Sequence, residues 1–335
     1  MKLGVLAAAL CSFAASTAAA DPVVLRMASI APEGTGWARE LKAFAREVAA
    51  QTEGEVTIKW YLGGIAGDDV QAGERIRRDQ LDGTASGGML CERLSPLMRA
   101  IHAVTTSREE AMFVINRVLP QLEEEFAKQG FAFLGTAGLG PDVLFTRTPV
   151  RSLAELQKIR LWVWDLDEVT RLQLPALGVP VVPTPVADAA HAYDDGRVDG
   201  FLAVPAAALA FQWSTQARYV SDLSTGFVSA CVLLSNRAYD ALPPESRSVL
   251  RASTAKLQAR VADLGHQQDA ALLGGLFARQ GMTALKATDS FRNEYAQAAM
   301  KARETLGEQL GPRAAITRAL ALLASFRREH VTAPR

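Results

Sequence analysis

The sequence predicts an α/β protein of two domains joined by a long helix, and three observations carry that expectation. Strand-like and helix-like stretches alternate from residue 23 onward, the pattern of βαβ units with mainly parallel pairing. The chain has 335 residues, beyond the roughly 250–300 at which a single hydrophobic core stops growing. Near the end, a helical apolar pattern runs unbroken from Pro243-Pro244 to Gly281. Proline opens it and glycine closes it. At about 1.5 Å per residue it would reach roughly 55 Å, longer than a small domain is wide, so it should cross from one domain to the other.

The elements follow in order. Val23 to Ala28 reads as a buried strand, and the turn-rich loop from Ser29 to Gly36 follows it. Trp37, Leu41, Phe44 and Val48 then recur at helical spacing, and Gly54 can close that helix in the left-handed conformation. Val56, Ile58 and Trp60 alternate with Thr57 and Lys59, the period-two signature of a half-buried strand. A glycine-rich loop over residues 63–69 leads into a helix over 70–81, and Asp82-Gly83 precedes the small-residue run Thr84 to Gly88. Beyond it the spacing predicts a helix through Ala111 to Lys128, strands at 131–134 and 143–146, a short helix at 152–158 and a strand at 159–164. A helix over 167–177 and a strand over 179–182 complete the middle of the chain.

Composition narrows the function. Hydrophobic residues make up 49% and charged residues 21%, ordinary values for a globular protein. Thirty-six basic residues face 36 acidic ones, so no net field attracts a polyanion, and nucleic acid is not expected as a partner. Lys2, the small and apolar run Leu3 to Ala15, and Ala18-Ala19-Ala20 form a leader with its cleavage site after Ala20. No later apolar run is long enough to span a bilayer, so an exported protein without membrane insertion is expected. After cleavage two cysteines remain, Cys91 and Cys231; an oxidising compartment permits a disulfide between them, and sequence separation does not decide it.

No catalytic motif is found. The H-E-x-x-H, G-x-S-x-G and Walker signatures are absent. Gly138-Leu139-Gly140-Pro141 lacks the third glycine of a dinucleotide loop. None of the four histidines has a partner at metal-ligand spacing, and the pairs Asp68-Asp69 and Asp194-Asp195 read as turns. No metal and no cofactor is therefore expected. An exported enzyme with a hydrolase-like site converging only in the fold, or a sensor's binding module, remain as alternatives to a binding protein whose domains close on a solute.

Four blocks resemble the DctP-type solute-binding proteins of TRAP (tripartite ATP-independent periplasmic) transporters. They are residues 25–69 (LRMASIAPEGTGW to IAGDD), 75–88 (RIRRDQLDGTASGG), 148–164 (TPVRSLAELQKIRLWVW) and 176–205, which contains GRVDGFLAVP. The resemblance implies a two-domain periplasmic binding protein fold, with residues 21–145 and 229–270 in domain I and 146–228 with 271–335 in domain II. It implies delivery of a small organic solute from the inter-domain cleft to membrane permease subunits. The family often clamps a ligand carboxylate with arginines, the bidentate use of a guanidinium.

Here the sequence departs from that pattern. The clamp position falls near Trp162 or Val163, with Arg160 the nearest arginine; a second family arginine aligns with Asp142, and the asparagine after D-G gives way to Val204-Pro205. Trp162 and Trp164 alternate with Val163 and so share one side of a strand, either walling the cleft or packing beneath a helix; Trp213 and Trp37 carry the same two readings. Gly87, Gly88 and Met89 sit where a turn would bring backbone amides near a ligand, or where a helix packs tightly on a strand, which needs glycine just as much. Asp167 reads as a helix cap. The expected ligand presents apolar or aromatic surface, a monocarboxylate included if its acid group reaches Arg160 or a backbone amide.

Overall fold

A computed structural model of the chain describes residues 22–331; the leader, with its expected cleavage after Ala20, lies outside the described residues. Nine strands form one mixed sheet: β1 (Val23–Ala28), β2 (Val56–Tyr61), β3 (Gly83–Ser86), β4 (Phe131–Thr146), β5 (Leu161–Trp164), β6 (Val181–Thr184), β7 (Gly200–Ala203), β8 (Tyr219–Ser235) and β9 (Thr283–Leu285). Their spatial order is β2-β1-β3-β8-β4-β7-β5-β6, with β9 beside β8. The short strands pair in parallel as βαβ units require, β2 and β3 with β1, β6 and β7 with β5.

The sequence reading missed what joins these two halves. Strands at 131–134 and 143–146 are one 16-residue strand, β4, which runs antiparallel to the 17-residue β8, a strand for which the sequence reading proposes no element. Register shifts between Phe133 and Gly135 and between Gly138 and Gly140 bend this ribbon, as bulges do. Pro141, beside three glycines in ten residues, hid it from a propensity argument. The first half of β4 and the last of β8 lie with β3; the other halves lie with β7. The ribbon is therefore shared by two lobes.

Helix Gly36–Gln51 begins at the side chain of Thr35, which accepts the Ala38 N–H, and buries Leu41, Phe44 and Val48. The long helix is Pro244–Ala271. Leu250, Leu257 and Val261 pack in the core of the first lobe, whereas Leu272 and Phe277, just beyond its end, pack in the second. It thus crosses between lobes as expected, but not as one rod to Gly281: a π turn over Leu272–Leu276 breaks it, with Gly275 at φ 140°, where a side chain would be strained. Arg260 and Lys256 bind it to the first helix through Glu40 and Glu47. Helix Asp289–Leu306 packs on the second lobe through Phe291 and Tyr295, and helix Arg313–Val331 returns to the first through Ala315, Ala319 and Leu323.

Cys91 and Cys231 form a disulfide. It ties helix Met89–Leu94, which follows β3, to the last third of β8, and both residues are buried. No helix among the described residues is long and apolar enough to cross a membrane.

Candidate ligand-binding site

A cavity of about 190 Å³ lies between the lobes, lined by ends and flanks of β1, β3, β4, β5, β7 and β8 and by the first and long helices. Most of its wall is apolar and much of it aromatic. Trp37, Trp162, Trp164 and Trp213 all line it. Trp162 is held by β5 and by its indole N–H, which donates to Thr184 Oγ1 at 2.7 Å. Trp213 lies tilted against it, ring centres 4.9 Å apart, and is stacked on Phe211 at 4.9 Å and 16°. Trp164, two residues along β5, is only partly covered. Trp37 and Leu139 pack against the cores of both lobes, and the Trp37 indole N–H is buried without a partner.

The polar end is built by His102, Asp142 and Asp167. Asp167 caps helix Glu168–Ala176 by accepting the Thr170 N–H at 2.9 Å and also lines the cavity. His102 Nδ1 lies 3.0 Å from Glu92 Oε1, an ion-pair approach between two buried side chains. Burial lowers the His102 pKa, but Glu92, Asp167 and Asp142 outweigh it and push it up to about 10. Burial raises Asp142 to about 7, against the pull of His102. Glu92, His102 and Asp167 bring their ligand atoms within 4.8 Å of one another and are the group that could hold a metal ion; a cation there must displace the proton from His102. No sequence spacing announced this cluster, because its members come from three separate helices.

Several expected contacts lie elsewhere. Arg160 does not line the cavity. Its Nε and Nη2 donate to Asp199, at 3.0 and 3.1 Å, and Nη2 also donates to the Gly196 carbonyl at 2.8 Å; residue 160 precedes β5, and its side chain turns to the exposed surface. Pro205 opens helix Pro205–Ala210 behind Val204, which does reach the cavity. Gly87 and Met89 line it, but Gly88 does not. Gly88 stands at φ 125°, and a Cβ there would lie 3.1 Å from the Ser229 carbonyl, so it serves the turn. The amides expected to meet a ligand are already taken. Gly88 N–H donates to Ser86 Oγ, whose own hydroxyl donates to Asp69. The buried Asp69 carboxylate accepts from the Gly87, Met89 and Leu90 amides. The protein supplies its own carboxyl group to that turn.

The two lobes, the bent ribbon they share, the crossing helix and the tryptophan-lined cavity between the lobes define a two-lobed solute-binding protein. Residues 27–308 match the DctP family, bacterial extracellular solute-binding protein, family 7, and the chain belongs to that family. No curated protein matches it. Among solved structures it is similar to an extracytoplasmic solute receptor of Bordetella pertussis that binds pyroglutamic acid, at 19% identity and a TM-score of 0.81 over 90% of this chain and 99% of that one. It is also similar to a TRAP periplasmic solute-binding protein of Desulfovibrio salexigens with bound orotic acid, at 17% identity and 0.81 over 91% and 99%. A third, from Desulfovibrio desulfuricans with bound sn-glycerol-3-phosphate, gives 15% identity and 0.82 over 93% and 99%.

Proposed function

We propose that the protein is the periplasmic solute-binding subunit of a TRAP transporter, exported through the leader ending at Ala20. It would enclose a small organic solute with apolar or aromatic surface and hand it to the membrane permease. The observation that carries this reading is the tryptophan-lined cavity between two lobes, in a family of extracellular solute-binding proteins. The small organic solutes held by the relatives support the size class.

The natural hinge is the bend of the β4–β8 ribbon near Gly138–Gly140, together with the broken helix at Leu272–Leu276. We therefore place the lobe boundary nearer residue 139 than 145, and assign helix Arg313–Val331 to domain I. Closure between such elements is the usual hinge mode of two-lobed binders. We assign no catalytic step: the one histidine lining the cavity stands 3.0 Å from the buried Glu92 carboxyl.

The test is mass spectrometry of small molecules released from the purified protein, followed by small-angle scattering with the recovered compound. A stoichiometric ligand that compacts the protein is the expected result. An unchanged radius of gyration at saturation, or turnover of the ligand, overturns the reading.

A further inference from the structure

We propose that the solute carries a positively charged nitrogen next to its apolar or aromatic body, the nitrogen seated between Asp142 and Asp167 and the body against the tryptophans. This rests on the cavity being the solute site.

The charges decide it. No lysine or arginine is among the residues lining the cavity, whereas Asp142 and Asp167 are. Glu92 stands immediately behind His102. Three carboxyl groups thus surround one histidine, whose Nδ1 stands 3.0 Å from Glu92 Oε1. Arg99, which acts on Glu92 from outside, is taken by Glu168 at 3.0 Å. A ligand carboxylate entering this end would approach Asp142 and Asp167 with no lysine or arginine in the lining to receive it. The alternative anion seat, the amides of Gly87, Met89 and Leu90, is filled by Asp69.

An ammonium group reverses each sign. It supplies donors to Asp142 and Asp167. The wall suits it too. Trp37, Trp162, Trp164 and Trp213 line the same cavity, and an indole face attracts a cation. The Asp142 carboxyl, raised by desolvation, would return to its ionised form once such a partner arrives.

Titration calorimetry at pH 7 with two matched pairs tests this: phenethylammonium against 3-phenylpropionate, and tryptammonium against indole-3-propionate. The ammonium member of each pair should bind more tightly by at least about tenfold. Asp142→Asn and Asp167→Asn, checked by circular dichroism for retained fold, should each weaken it by about tenfold or more. Equal or tighter binding of the acids, with scattering still showing compaction, overturns the charge assignment and leaves the solute-binding reading standing. So does stabilisation by zinc or calcium ions alone with no response to the amines, which would make the cluster a metal site. Unchanged ammonium affinity in folded Asp142→Asn and Asp167→Asn variants also overturns it. No binding in either series, with no molecule recovered from the purified protein, removes both readings.

Discussion

Arg160 grips Asp199 in the second lobe as Arg26 grips Asp82 in the first. In each case the arginine backbone N–H and Nε donate to one carboxylate oxygen, Nη2 donates to the other, and Nη2 also reaches a carbonyl three residues earlier, that of Gly196 or Asp79. Each aspartate is followed by a glycine that opens a strand, and that glycine pairs with the residue after the arginine, Gly83 with Met27 and Gly200 with Leu161. The fork is thus a repeated structural clamp between neighbouring parallel strands. Arg160→Ala should leave ligand affinity within about twofold, since the side chain lies outside the cavity. A loss of affinity above tenfold in a calorimetric titration would restore Arg160 to the site.

The repeat was written in the sequence as two D-G steps, and reading only one arginine against the family pattern concealed it. What was legible were the elements whose side chains face one way: the helix of Trp37, Leu41, Phe44 and Val48, and the strand carrying Trp162 and Trp164. Their periodicity is enforced by local geometry. What was not legible depends on contacts between distant segments. The β4–β8 ribbon draws its pairing from residues some 90 apart, and its small residues give no strand signal. Likewise Glu92, His102, Asp142 and Asp167 acquire chemistry only when the fold gathers them.

The disulfide between Cys91 and Cys231 spans 140 residues, so it restricts the unfolded chain across much of its length. A Cys91→Ala/Cys231→Ala variant should lose about 2–5 kcal/mol, a lowering of the melting temperature by several degrees. Because both sulfurs are buried, the wild-type bond should resist dithiothreitol until the protein unfolds. Identical melting of the variant and the wild type in calorimetry would contradict this.

Stability should fall as pH rises from about 5 to 9. Burial raises Asp142 and Asp269 to about 7 in the folded protein from an ordinary 3.8. The folded state therefore holds their protons more tightly, and that advantage, complete at low pH, disappears as pH climbs through about 7. His102, raised to about 10 from 6.5, behaves likewise between roughly neutral pH and 10. Each group contributes a slope of up to about 1.4 kcal/mol per pH unit inside its window. In acid the trend reverses, because Asp82, Asp199 and Glu47 are held below their ordinary values by arginine and lysine partners. Asp142→Asn should flatten the decline between pH 5 and 7. Melting temperatures that rise steadily from pH 5 to 9 would show that the buried carboxyls ionise without penalty.

The two tryptophans of β5 should separate affinity from stability. Trp162 is 4% exposed, belongs to the core of the second lobe and donates its indole N–H to Thr184. Trp162→Ala should cost about 3–5 kcal/mol of stability by opening a cavity, whatever it does to binding. Trp164 is partly exposed, has no indole hydrogen bond among those described, and presents its ring to the cavity. Trp164→Ala should therefore cost no more than about 1–2 kcal/mol of stability, while raising the dissociation constant of the ligand recovered from the purified protein by about tenfold. Trp164→Phe should recover part of that loss, because an aromatic face remains but is smaller. Thermal melting and titration calorimetry on the same preparations give both quantities. Full affinity in a well-folded Trp164→Ala variant would mean that the solute sits deeper, against Trp162 and Trp213, and does not reach the end of β5.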